Sequence, residues 1–384
     1  MSHTPVKAER RRVSGFILDY LLALPVGCAA ALVWANTLPE SYYRFAHATA
    51  FVVNDIGMVF FFALIVKEVV EATLSGGALH PWRRATLPLI AAIGSAMAST
   101  AIYLAVARYF GEHMLADGWV AACAIDIPGT YVIARLIFGR HPAVPFLLLL
   151  AIAADAIGLA AVAVLNPVGD AHPLVGVFLM AVAVSAAAVL RRRRVRSFWL
   201  YLLGPGLASW WALFLGGVHP ALALAPIVPF FPHGKRDRGL MVEPAPHAHD
   251  TLTLFERWWQ LPVEGVLLLF GLVNAGVPLH GLEEGMWAIP IAALGRPFGI
   301  LAGAAVAIAA GLHLPLRVGW RELVVVGCTA TIGLVFALFF ATAVMPLGGI
   351  LLEMKMGALV TIAGGALAFA AAAVLKVGRF SESS

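Results

Sequence analysis

An all-α polytopic membrane protein is the fold class this sequence predicts, and three observations predict it. First, the 384 residues are 61% hydrophobic and only 12% charged, with a mean hydropathy of +0.90. Soluble domains carry about 25% charged residues, so this chain cannot cover a water-facing surface. Second, apolar runs of bilayer length recur from end to end of the chain. Third, lysine and arginine gather in alternate connections between those runs. A bilayer core offers the backbone no water, so the runs must satisfy their own amides as helices.

In chain order, the predicted spans are 14–35, 53–74, 86–110, 119–138, 144–165, 173–190, 197–216, 218–231, 261–277, 286–312, 322–343 and 347–377. Lys7 and Arg10 to Arg12 precede the first. Its apolar part, Phe16 to Trp34, exceeds a signal-peptide core, so a retained helix is expected. About twelve spans place both termini on one side. The Arg191–Arg194 block, Arg135, Arg317, Arg321, Lys376 and Arg379 share that side, while Glu112, Asp117, Glu283 and Glu284 lie opposite. The positive side is cytoplasmic, which predicts a bacterial-type inner membrane protein with both termini inside.

The formal net charge of +5 is therefore a topology signal, and no nucleic-acid partner is expected. The chain reads as a single transporter domain over 1–384, with its longest non-membrane stretch at 232–260. His247 and His249 in that proline-rich loop are too few for a metal site. Cys28, Cys123 and Cys328 are far apart in apolar stretches and form neither a disulfide framework nor a ligand set. No phosphate loop and no nucleophile with an arranged base is present, so neither a cofactor nor enzyme chemistry is expected.

The informative residues are charges at membrane depth. Asp155 stands in the middle of the fifth span, where every other side chain is apolar or small. A carboxylate there costs roughly 2.5–3.5 kcal/mol on an insertion scale, a cost tolerated mainly beside a cavity, a partner charge or an ion. Asp126 precedes Pro128-Gly129 and interrupts the fourth span; Arg296-Pro297 interrupts the tenth. The eleventh, Gly327-Cys-Thr329-Ala-Thr331-Ile-Gly333, is rich in glycine and hydroxyls. Proline removes an amide donor and glycine loosens the backbone.

Breaks in the fourth and eleventh spans occupy corresponding places if 86–165 and 286–377 form two inverted repeat units. Interrupted helices at such a centre mark a transporter's binding site. Crossed half-helices present positive N-termini and negative C-termini. Asp126 is placed to neutralise the first and Arg296 the second.

Six segments then carry a family resemblance. Asn54-Asp-Ile-Gly-Met-Val-Phe-Phe-Phe-Ala-Leu with Lys67-Glu68 is similar to the second-helix segment of NhaA-type sodium/proton antiporters. Leu87-Pro-Leu-Ile-Ala-Ala-Ile-Gly94, the Asp126 break, Gly217-Val-His219-Pro-Ala-Leu-Ala, Val273-Asn-Ala-Gly-Val277 and Gly295-Arg-Pro-Phe-Gly-Ile300 follow in the family's order. That family is itself a standard example of inverted repeats with broken helices.

The resemblance implies exchange of Na+ or Li+ for protons by alternating access, in a homodimer embedded in the lipid bilayer. It assigns Asp155 as the cation-binding carboxylate, Asp126 as the balance for the helix ends, and Asp55, Glu68, His219 and Glu256 to structure or pH response. Three positions depart from the family pattern. Ala154 replaces the first aspartate of a pair, Arg296 replaces a lysine, and Ile125 replaces a threonine.

Arginine stays protonated where a buried lysine readily loses its proton, so Arg296 cannot shuttle protons. With one acid fewer, the expectation is about one proton per cation, an electroneutral exchange. The alternatives are a non-transporting or regulatory relative in which Arg296 locks Asp155, and a carrier of another solute or anion.

Overall fold

The computed structural model describes residues 23–73, 82–139, 141–165, 172–233, 250–315 and 317–381. The start of the first span and the interior of the 232–260 loop, with His247 and His249, lie outside the described residues. Among the described residues every regular element is helical. Eight helices are long and apolar enough to cross a membrane, and a ninth span results if one bent pair is joined.

The principal helices are α1 (Ala23–Thr37), α2 (Pro39–Phe51), α3 (Met58–Thr73), α4 (Trp82–Phe110), α5 (Trp119–Cys123), α6 (Ile127–Phe138), α7 (Ala143–Leu165) and α8 (Pro173–Arg192). They continue with α9 (Leu207–Gly216), α10 (Thr251–Asn274), α11 (Ala288–Ala293), α12 (Arg296–Ala309), α13 (Trp320–Thr329), α14 (Leu334–Val344), α15 (Gly349–Val360) and α16 (Gly364–Leu375). A π-helical turn over Val52–Gly57 joins α2 to α3 and contains Asn54 and Asp55.

The second span begins at Pro39 instead of 53, and two further segments differ from the sequence expectation. Residues 218–231 form no continuous helix, only the 3-10 turns Pro220–Leu222 and Val228–Phe230. Pro226 and Pro229 each remove an amide donor that the interior of a helix would need. The ninth predicted helix begins at Thr251 instead of 261, its start capped by Asp250, which accepts from the Thr253 N–H at 2.9 Å. Glu256, Arg257 and Gln260 hide that first part from a hydropathy reading. Glu264, in the same helix, is half-buried.

The chain divides into two compact units. One comprises Met1–Gly77 and Ala163–Gly276, the other Ala78–Val162 and Val277–Ser384. In the first, α8 and α9 pack closely because Gly176 lies against Gly216 and Ala212. The Tyr42 hydroxyl, fully buried, donates to the Val273 carbonyl at 3.0 Å and accepts from the Gly276 N–H at 2.9 Å. Asn54 and Asn274 exchange amide hydrogen bonds at 3.2 and 2.8 Å.

In the second unit α4 and α12 run backbone on backbone, since a Cβ at Gly94 would fall on the Gly299 carbonyl. Small residues permit this close approach in membrane helices, where dispersion contacts replace the hydrophobic effect. A Cβ at Gly327 would lie 2.6 Å from the Pro297 Cα, so this glycine lets α13 reach the start of α12. That brings Arg296 to the helix breaks.

Candidate functional site

All of the central site lies in the second unit. The first break falls between α5 and α6, where Ala124 and Asp126 are extended. Pro128 does not break the helix from within: it occupies the first turn of α6, where no intrahelical donor is missed. Gly129 stands one residue on and gives its N–H to Asp126. The second break is residues 330–333 between α13 and α14, with a bend of 49°. The two breaks touch, because the Asp126 N–H donates to the Ile332 carbonyl at 2.9 Å.

Four half-helix ends therefore meet, and two side chains answer them. Asp126 caps both N-termini. Its Oδ2 accepts from the Gly129 N–H of α6 at 2.8 Å, and its Oδ1 from the Val335 N–H of α14 at 3.2 Å. Arg296 answers the C-termini. Its Nη2 donates to the Ala122 carbonyl of α5 at 2.9 Å and its Nη1 to the Ala330 carbonyl, just past α13, at 2.7 Å. Longer bonds run from Nε to Ala122, at 3.3 Å, and from Nη1 to Ile332, at 3.4 Å. A planar fork with five donors can serve two helix ends at once. Gly333 lies against the guanidinium, at a distance that a larger residue would close.

Thr329 and Thr331 serve their own chain, donating to the Val325 and Cys328 carbonyls at 2.8 and 2.7 Å. Their hydroxyls hold the broken end of α13. The Gly333 N–H is taken up by Thr361 Oγ1 at 3.1 Å.

Asp155 sits on α7 and is 1% exposed. Its Oδ1 accepts from the Ile125 N–H at 3.0 Å, whereas Oδ2 is buried with no hydrogen-bond partner. A buried carboxylate oxygen left without a donor is costly and suits a proton or a cation. Arg296 forms no ion pair with it, so the lock between the two is not what the structure holds. The guanidinium is held by the backbone carbonyls of the breaks. Ala154 and Ile125, both fully buried, add no side-chain oxygen. Two carboxylates against one guanidinium leave one negative charge, which a single monovalent cation or a single proton neutralises.

The residues expected to answer pH lie in the first unit. Lys67, 1% exposed, is ion-paired with Glu256 at 2.9 Å and with Glu68 and Glu71 at 3.0 Å each. Lys67 is thus held inside by three acids. Glu71 was not anticipated, although its spacing four residues beyond Lys67 is the signal that pairs them. His219 is separate: its Nδ1 accepts from the Ala221 N–H at 3.3 Å, closing the turn that follows, and its Nε2 lies 3.9 Å from Asp55 Oδ1.

Broken helices crossing at a buried acid and a buried base, in a multi-pass helical membrane protein, define a secondary transporter of the interrupted-helix class. Comparison with known proteins specifies the family. Residues 19–375 match the model of the family described as Na+/H+ antiporter 1, and the chain belongs to it. A protein of Desulfitobacterium hafniense named Na(+)/H(+) antiporter NhaA is 37% identical over 98% of this chain and 99% of its own. One of the same name from Geotalea uraniireducens is 39% identical over 95% and 97%. The solved structure of the sodium proton antiporter MjNhaP1 from Methanocaldococcus jannaschii shares the fold, with a TM-score of 0.58 at 14% identity, over 97% of this chain and all of that one.

Proposed function

We propose that this protein exchanges Na+ or Li+ for protons across a bacterial inner membrane, with both termini in the cytoplasm, and that Asp155 holds the cation and the proton in turn. The observation that carries this reading is the buried, unpartnered Oδ2 of Asp155 beside a guanidinium already engaged elsewhere. Proton and cation compete for that oxygen, and occupancy by either one shifts the balance between inward- and outward-open states. Asp126 and Arg296 stay fixed as the counter-charges of the helix ends. With one exchangeable negative charge, one proton leaves per cation and the cycle is electroneutral.

Segments 86–165 and 286–377 are read as inverted repeats, each contributing one interrupted helix to the crossing. The cluster of Lys67 with Glu68, Glu71 and Glu256 is read as the pH-responsive element, since three carboxylates share one buried ammonium. His219, engaged in its turn, is read as structural first. Assembly as a homodimer in the bilayer is part of the same reading, and its mass in detergent or nanodiscs tests it.

The test of the exchange is proton movement in proteoliposomes loaded with a pH dye, under imposed sodium, lithium or potassium gradients. Sodium- or lithium-driven alkalinisation or acidification is expected, and Asp155→Asn should abolish it. Folded wild-type protein that moves no protons with any of these ions would overturn the proposal.

A further inference from the structure

A second carboxylate of this unit is buried with one oxygen left alone, and it stands apart from the exchange site. Glu353, in the first turns of α15, is 5% exposed, and its Oε2 has no hydrogen-bond partner. That oxygen rests on Gly285, where even a Cβ would overlap it. No salt bridge reaches Glu353 among the described residues. The charges in electrostatic reach are two further acids, Glu112 and Glu283, and the Glu283 N–H approaches the carboxylate.

The three acids run from water inward: Glu283 is exposed, Glu112 half-buried and Glu353 buried. Glu112 and Glu283 lie opposite the arginine-rich connections, on the face read above as the outer one. The turn Glu284–Trp287 packs on α15 with Glu284 exposed, and α11 and α14, also packed there, carry no charged residue. Lys355, two residues on, leaves the helix on another face. Like charges buried without a counter-ion are costly. Among the described residues the acids are not gathered closely enough to hold a metal ion. A proton needs one oxygen only.

This position is linked to the helix break. Met354, the next residue, packs so tightly on Gly118 that a Cβ there would overlap its thioether. Gly118 stands at the start of α5. About 8 Å of helix then leads to the break, where the Ala122 carbonyl and Ile125 N–H bond Arg296 and Asp155.

We propose that Glu353 is a second proton-binding site, loaded from water on the outer face past Glu283 and Glu112, and that its protonation favours exchange through α5. The proton comes from that water, forms an O–H bond at Oε2 and returns to the same water. With it bound, the acids lose one charge and α15 stays closed on Gly285 and Gly118. Without it, like charges press the turn and α15 apart. Proton binding stands by itself; its control of exchange rests on the reading of Asp155.

The test uses full-length protein in liposomes, oriented one way. Dicyclohexylcarbodiimide, which adds to a protonated carboxyl in an apolar setting, should label Glu353, as read by peptide mass. Labelling should fall about tenfold for each pH unit above the midpoint, as a single carboxyl requires. Sodium–sodium exchange is then followed with radioactive Na+ while pH is varied on one face. Glu353→Gln, which stands for the protonated form, should equal wild type at acid outer pH and exceed it severalfold at alkaline outer pH. Inner pH should leave that ratio unchanged, and Glu353→Asp should follow the wild type.

No labelling of Glu353 at acid pH overturns the proton site. Labelling with a ratio of variant to wild type that ignores outer pH overturns its control of exchange. Labelling in a wild type that moves no Na+ keeps the proton site and rejects exchange at Asp155.

Discussion

Arg296 and Asp155 occupy one buried site without pairing, because each is already engaged by the backbone of the broken helices. The guanidinium donates to Ala122 and Ala330, and the carboxylate accepts from Ile125. A bidentate Arg–carboxylate pair is among the strong interactions at low dielectric, so its absence needs a reason. The helix ends supply one: two half-helix C-termini present carbonyls with partial negative charge, and no other cationic side chain binds them among the described residues. Asp155 consequently keeps an oxygen free for exchange.

Restoring a second acid should change the electrical character of transport. Ala154→Asp adds a buried carboxylate beside Asp155, and the site then carries two negative charges against which one monovalent cation is insufficient. Exchange should become sensitive to an imposed membrane potential, read with a potential clamp of potassium and valinomycin. The same rate at every potential would show that residue 154 does not face the exchange site.

Replacing the fork should weaken the crossing. Arg296→Lys supplies a point charge that cannot reach two helix ends together, leaving a buried carbonyl without its donor. The expected loss is about 1–3 kcal/mol, seen as a lower unfolding temperature in detergent. Unfolding at the wild-type temperature would mean that a single cation at either end is enough.

Lys67 carries a prediction in pH. Lys67→Met leaves Glu68, Glu71 and Glu256 facing one another without their shared cation, and breaking such a buried pair costs about 3–5 kcal/mol. Protonation relieves the repulsion, so the variant should be most defective at alkaline pH and recover stability as pH falls. Unfolding temperatures of wild type and variant across pH 6 to 9 check it; a difference independent of pH would show that the three acids are screened by water.

The class of the protein and the identity of its central charges were legible in the sequence for one physical reason. A charge inside twenty apolar residues is expensive, so Asp155, Asp126 and Arg296 stand out against their surroundings without any structure. The helix breaks were legible too, as the clusters of proline, glycine and threonine near 128 and 330. What each charge touches was not, because spacing along a chain does not encode which half-helix end lies beside which side chain. Only the folded unit places Ala122, Ala330 and Ile332 around Arg296 and so leaves Asp155 Oδ2 alone. Only there does Lys67 gather Glu256, nearly two hundred residues on, together with its near neighbours. Solvation cost fixed which residues mattered, and packing decided what they could do.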